Sequence, residues 1–193
     1  MAYCDIVELK EYLGIQESID DILLDSLINS SKSVIDGFCN RTFEALEDAT
    51  RYFDAYSDVD GQTLYFDADI CAITTVTNGD GEVISSTHYV TEPRNAKPYY
   101  AIRLKASAPY QWTCDSNGNS ENAIAILGKW AYSDNAPDDI RFACVRLVSY
   151  LYRQKDNAAD MDRAVIVGNG TVLPSRIPDD IKTILKPYRR VTK

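Results

Sequence analysis

The hydrophobic period of this chain changes twice, and that double change constrains its fold more than any other feature. Ile19, Ile22, Leu23, Leu27, Ile28, Val34, Ile35 and Phe38 recur at steps of three and four with polar residues between them. That is the stripe of an amphipathic helix of about five turns. From Thr50 to Ser133 the apolar residues fall instead into short alternating runs, the period of half-buried strands. After Pro137 the helical spacing returns in Ile140, Ala143, Cys144, Leu147, Val148, Leu151 and Tyr152. The pattern predicts an α+β protein: helical segments at 1–49 and 134–193, with a β module inserted at 50–133.

Local signals refine the reading. Leu9, Lys10, Tyr12 and Leu13 form a short helical run stopped by Gly14. Ser18, with Asp21 three residues on, reads as the start of the long helix near 18–39, the hydroxyl accepting an early backbone N–H. Strands are expected at 50–55, 62–66, 73–77, 82–85, 89–92, 100–105 and 123–132, antiparallel because the connections are short. Asn78-Gly79-Asp80-Gly81 between two of them is a hairpin signal, since Asn and Gly tolerate positive φ. Pro137-Asp138-Asp139-Ile140 and Pro178-Asp179-Asp180-Ile181 are two helix starts, a proline that loses no hydrogen bond followed by acids at the positive end of the dipole. They open a helix near 137–154 and a C-terminal helix. A small hairpin is expected around Gly168-Asn169-Gly170.

Chemistry is sparse. Nucleotide-binding glycine loops, a nucleophile elbow and metalloprotease motifs are absent, and the one histidine, His88, is a weak candidate base. Five scattered cysteines without a C-x-x-C pair read as reduced thiols in or near cores. Asp58-Val59-Asp60-Gly61 with Asp67 has the look of part of a calcium loop, but Tyr56 holds the first ligand position, so a solvated acidic turn is the better reading. No cofactor, metal or catalytic set is expected. Without a secretory start or a run of about 18 apolar residues, the protein is expected to be made in a cytoplasm and to cross no membrane.

Charge is more informative. The net charge is −9, against a protein that grips DNA phosphates. Residues 1–92 carry 19 acids and 4 bases, while 93–193 carry 10 and 16. Opposite halves can join copies head to tail in a ring, or neutralise each other within one subunit. The end of the chain, from Lys182 through Lys186, Tyr188, Arg189 and Arg190 to Lys193, is basic and acid-free.

Taken in order, the segments resemble a known family. Leu9-Lys10-x-Tyr12-Leu13, then Asp20-Asp21-x-Leu23-Leu24, then Asn40-Arg41-Thr42-Phe43 looks like the opening of tailed-bacteriophage head-to-tail connector (adaptor, or head-completion) proteins. Arg51-Tyr52-Phe53-Asp54, Gly128-Lys129-Trp130-Ala131-Tyr132-Ser133 and Leu185-Lys186-Pro187-Tyr188-Arg189-Arg190 are similar to longer members that carry a β insertion. The resemblance implies that the two long helices pack together and that the protein is a non-enzymatic virion component. It implies a ring of about twelve copies between the portal and the stopper or tail proteins, extending a channel through which DNA passes without specific binding. Within that picture, Asp20, Asp21, Asp25, Asp58 and Asp60 are candidates to line the lumen, where carboxylates repel phosphates. Lys182, Lys186, Tyr188, Arg189, Arg190 and Lys193 are candidates to hold the portal, and a chain cut after Pro178 is expected to fold but not to join heads.

Two other readings compete. A stopper or tail-terminator ring would bind the tail side. A β-rich glycan- or receptor-binding module would use Tyr110, Trp112 and Trp130 as a platform, although Trp130 sits in an alternating run that favours burial.

Overall fold

A computed structural model describes residues 3–154, 164–167, 171–174 and 177–190. In chain order the elements are α1 (Ile6–Leu13), α2 (Asp21–Cys39), β1 (Ala49–Phe53), β2 (Val59–Asp60), β3 (Thr63–Ile70), β4 (Ala72–Thr77), β5 (Tyr89–Glu92), β6 (Tyr99–Leu104), β7 (Ile124–Lys129), α3 (Asp138–Gln154), β8 (Ala164–Val167), β9 (Thr171–Pro174) and α4 (Asp179–Leu185). The fold is α+β. The chain divides into a helical unit, Met1–Arg41 with Ala136–Lys193, and a β unit, Thr42–Asn135.

In the helical unit, α1 begins where the Asp5 carboxylate accepts the Glu8 N–H at 2.7 Å and ends at Gly14, whose φ of 72° returns its N–H to the helix carbonyls. The second helix starts later than the sequence predicts. Its N-cap is Asp20, no side chain caps it, and Ser18 contributes only its carbonyl, to Asp21 N–H. The buried face also differs from the expected one. Ile19 and Ile22, expected inside, are 85% and 88% exposed, while Leu24, Leu27, Ile28, Ser31, Ile35 and Cys39 are buried. These fall on one stripe at helical spacing, against α3, whose buried residues include Ile140, Ala143, Cys144, Leu147, Val148 and Leu151. At the α3 start, the Pro137 carbonyl accepts from Ile140 and Arg141 N–H. The α4 helix closes the core with Ile181 and Leu185, packing on α3 and α2. The expected small hairpin exists as β8 paired antiparallel with β9; its glycine turn lies outside the described residues.

Two antiparallel sheets make the β unit, in the orders β1-β7-β4 and β2-β3-β6-β5. Cys71, between β3 and β4, is the corner where the chain passes from one sheet to the other, and its N–H donates to Lys129 O at 2.9 Å. One cluster fills the interior: Phe53, Leu64, Phe66, Ile70, Val76, Ile84, Ile102, Leu104, Ile124, Ile126 and Trp130. Trp130 anchors it. Its ring lies 5.7 Å from Phe53 and 5.4 Å from Phe66, edge-on to the latter, and its N–H donates to Ala49 O at 2.8 Å.

The hairpin signal is only half realised. The turn forms, with Gly81 N–H donating to Asn78 O, but residues 82–85 make one bridge, Thr77 to Val83, instead of a strand. The ladder partner of β4 is β7, far along the chain. What the turn supports is a clamp: buried Asn78 donates its side-chain amide to Gln111 O at 2.9 Å and accepts from Thr113 N–H at 3.2 Å. Gly79 is required there, because a Cβ would sit 2.0 Å from Thr113 O. The two-residue β2 has too little alternation to read from sequence.

Candidate functional site

The two groups of charges singled out by sequence behave differently once folded. Among the acids, Asp20 accepts from the Tyr152 hydroxyl at 2.5 Å, joining the α2 start to the end of α3. Asp21 pairs with Lys10 at 2.8 Å, tying α2 to α1. Both carboxylates therefore hold the helical unit together. Asp25 is exposed on α2. In the β unit, Asp58 accepts from Asp54 N–H at 2.8 Å, and Asp60 is exposed on β2. Asp67, the remaining acid of the calcium-like stretch, accepts through both carboxylate oxygens from a single Arg51 nitrogen, at 2.8 and 2.9 Å. Among the described residues no group of three or more His, Cys, Asp or Glu is placed to hold a metal ion.

The basic terminus is packed and not only charged. Ile181 and Leu185, two residues of the apolar face legible in the sequence, are core residues, which weighs against a chain cut after Pro178 keeping an intact helical core. Lys182 pairs with Asp179 at 3.0 Å, the Tyr188 hydroxyl donates to Asp139 at 3.0 Å, and Arg190 N–H donates to Cys39 O at 2.8 Å. Arg146 makes an ion pair with Asp180. Lys186 and Arg189 remain exposed around the turn Lys186–Tyr188. Lys193 lies outside the described residues.

Folding also redistributes the charge. The acidic first half and basic second half of the sequence do not form separate bodies. The helical unit holds 15 acids and 14 bases and is nearly neutral, joined internally by pairs such as Arg141–Glu8 at 3.1 Å. The β unit holds 14 acids against 6 bases and carries almost all the net charge. Of the two readings of the charge asymmetry, neutralisation within one subunit accounts for the helical unit.

The aromatic platform of the glycan reading is not assembled. Trp130 is 7% exposed inside the core, Tyr110 and Trp112 pack on that core, and the Trp112 N–H donates to Gln62 O at 3.1 Å. His88 stands edge-on to Tyr110, ring centres 5.2 Å apart. The tyrosines presented to solvent are others: Tyr52, Tyr56, Tyr65 and Tyr100 of the β unit and Tyr12 of α1. For Tyr52, Tyr65 and Tyr100 sequence reasoning lacked a signal, because a strand's outward positions can be told from its inward ones only once register is known. On the helical unit, Glu8, Glu11, Tyr12, Asp138, Phe142 and neighbours line an open groove of about 440 Å³ between α1 and α3. Tyr110, Trp112 and Trp130 are therefore not presented together as a platform.

The family model described as head completion protein matches residues 3–191. The chain belongs to the head completion protein family. Membership supports a structural, head-to-tail connector role. No match was found among curated protein sequences. Among solved structures, the fold is similar to a chain in the neck of an empty gene transfer agent particle computed with C6 symmetry, at TM-score 0.59 and 11% identity, covering 97% of this chain and 89% of the other. It is also similar to one in the neck of a native gene transfer agent particle computed with C12 symmetry, at 0.59 and 12% over the same shares. A third likeness, at 0.58 and 16%, again over 97% and 89%, is to a chain in the virion of a native gene transfer agent particle. These likenesses establish a shared fold that takes in both units. Among the described residues no helix is long and apolar enough to cross a membrane.

Proposed function

We propose that this head completion protein is one subunit of a ring between the portal and the stopper or tail, extending the channel through which DNA passes. The observation that carries the proposal is the fold likeness over 97% of the chain to a component of a neck computed with C12 symmetry. About twelve copies, joined by heterologous contacts that close, would form the wall. The acidic β unit supplies the charge expected of a surface that phosphates slide past, and Asp58 and Asp60 are its candidate lumen residues. Asp25 joins them from the helical unit, whereas Asp20 and Asp21 serve the helix packing first. For the portal contact the exposed pair Lys186 and Arg189 is the strongest choice, with Lys182, Tyr188, Arg190 and Lys193 beside them in sequence.

The test is native mass measurement and electron microscopy of the purified protein alone and with portal-bearing heads. A closed ring seated on the portal is expected, and a protein that stays monomeric with heads or is missing from finished particles ends the proposal. The double substitution Lys186→Glu with Arg189→Glu should leave a folded subunit that no longer joins heads; unchanged joining removes these residues from the portal contact. Binding to isolated tails in preference to heads would favour a stopper or tail-terminator ring.

A further inference from the structure

Of the five cysteines, four are buried, and two of them meet. Cys4 Sγ lies 3.5 Å from Cys144 Sγ, across 140 positions of chain. The other three thiols are engaged elsewhere, Cys39 with Leu185 O, Cys71 with Lys129 O and Cys114 with Tyr56. Cys144 is fixed at the centre of α3, between Ile140 and Leu147 on its buried face. Cys4 belongs to the non-helical segment before α1. Tyr3 of that segment is held to α2, its hydroxyl donating to Asp36 and its ring centre 5.0 Å from Lys32 Nζ, and α1, which follows, is held to α3 by the pair of Glu8 with Arg141. Two thiols held in contact by an otherwise complete set of anchors are arranged for more than packing, since a single small apolar residue would fill either position as well.

We propose that Cys4 and Cys144 are an oxidative modification site, a dithiol that closes to an intramolecular disulfide when it meets a small two-electron oxidant of the peroxide class. The sulfurs must approach from 3.5 Å to about 2.05 Å, and the short segment carrying Cys4 can make that move while α3 stays in place. Cys4 reacts first, because it lies outside any helix whereas Cys144 is held at the centre of α3. Its thiolate attacks one peroxide oxygen, the O–O bond breaks, and the products are Cys4 sulfenic acid and, once the thiol proton is counted, water. The Cys144 thiolate then attacks the Cys4 sulfur. The S–S bond forms, the S–O bond breaks, and the hydroxide leaves as water with the Cys144 proton. Two thiols have lost two electrons, and one peroxide has become two waters.

The same contact explains why the dithiol would persist in a reducing cytoplasm. The hydrogen bond with Cys4 and burial together push the Cys144 thiol far up, so the neutral form is held and reaction waits for local opening. Formation of the bond depends only on the helical unit. Its timing, after lysis moves particles into an oxidising medium, rests on the virion placement proposed above.

The experiment treats reduced, purified full-length protein with hydrogen peroxide and follows intact mass, peptides mapped without reductant, and thermal unfolding. A monomer lighter by two hydrogens is expected, with one peptide pair linking Cys4 to Cys144, reversed by dithiothreitol. Formation should be faster as pH rises, and the helical unfolding midpoint should rise by about 10 °C, because so long a loop is closed. Cys4→Ser should remove the mass change and the shift; the map of the unaltered protein decides the matter should that variant fold poorly. Oxidation confined to the less buried Cys114, or links to other cysteines or a second chain, would overturn the proposal. A bond that forms in the purified protein but not in released particles would count against the timing and the virion placement alone.

Discussion

Leu185→Ala tests whether the basic terminus is a structural part of the helical unit. Leu185 is completely buried, and its own carbonyl accepts from the Cys39 thiol. Its removal strips a side chain from the core between α4, α2 and α3 and leaves a cavity that the long helices cannot close, because both are fixed along their length. Buried Leu→Ala changes of this kind cost about 3 kcal/mol. With a urea slope of about 2 kcal/mol per molar, the helical midpoint should fall by about 1.5 M. Both tryptophans, Trp112 and Trp130, lie in the β unit, so two signals separate the units. Far-ultraviolet circular dichroism follows the helices and fluorescence follows the β core. The dichroism midpoint should drop well ahead of the fluorescence midpoint. A change under about 1 kcal/mol in the dichroism transition would refute the packing argument and restore the idea of a terminus that contributes only charge.

Gly79→Ala should destabilise the β unit by about 2 kcal/mol through the clash with Thr113 O, read as a fall in the fluorescence midpoint; an unchanged midpoint would show that the turn has room to shift. Tyr152→Phe removes the donor to Asp20 and should cost about 1 kcal/mol in the dichroism transition, with no change if Asp20 serves only an outward-facing role. The Asp115 carboxylate is held below its usual range by the Asn119 and Asn117 groups that donate to it. A depressed folded-state value means that its contribution is present above the unfolded value and is lost as pH falls through the folded one. Protection of the Asn117 and Asn119 amides, taken relative to their intrinsic exchange rates at each pH, should therefore be lost only in acid, below the ordinary aspartate range, and loss of protection near neutrality would contradict the assignment.

Local rules made much of this protein readable before folding. Gly14 ends α1 because only a residue at ease with positive φ returns its N–H there, and Pro137 and Pro178 stand just before α3 and α4, where their carbonyls accept the first helical N–H groups and a missing N–H loses no bond. The alternation of period separated helical from β segments for the same reason: side-chain direction repeats with the backbone geometry. These depend on neighbours within four residues, so they are written in the chain itself.

What only the tertiary structure decided depends on distant partners. Ile19 and Ile22 face outward, because Ile19 precedes the helix, which starts at Asp21, and Ile22 lies on the side away from Leu24 and Leu27, which are buried. The Asn78 turn is built and its return segment pairs with the outer edge of β4 only through Thr77 and Val83, with Ile84 N–H donating to Val76 O, while the full ladder of β4 is with β7, far along the chain. Charge shows the difference most plainly. Sequence order divides the chain into an acidic and a basic half, whereas folding brings the first 41 residues together with the last 58 and leaves the β unit with nearly all the net charge. Electrostatics acts through space and not along the chain, and so does the meeting of Cys4 with Cys144.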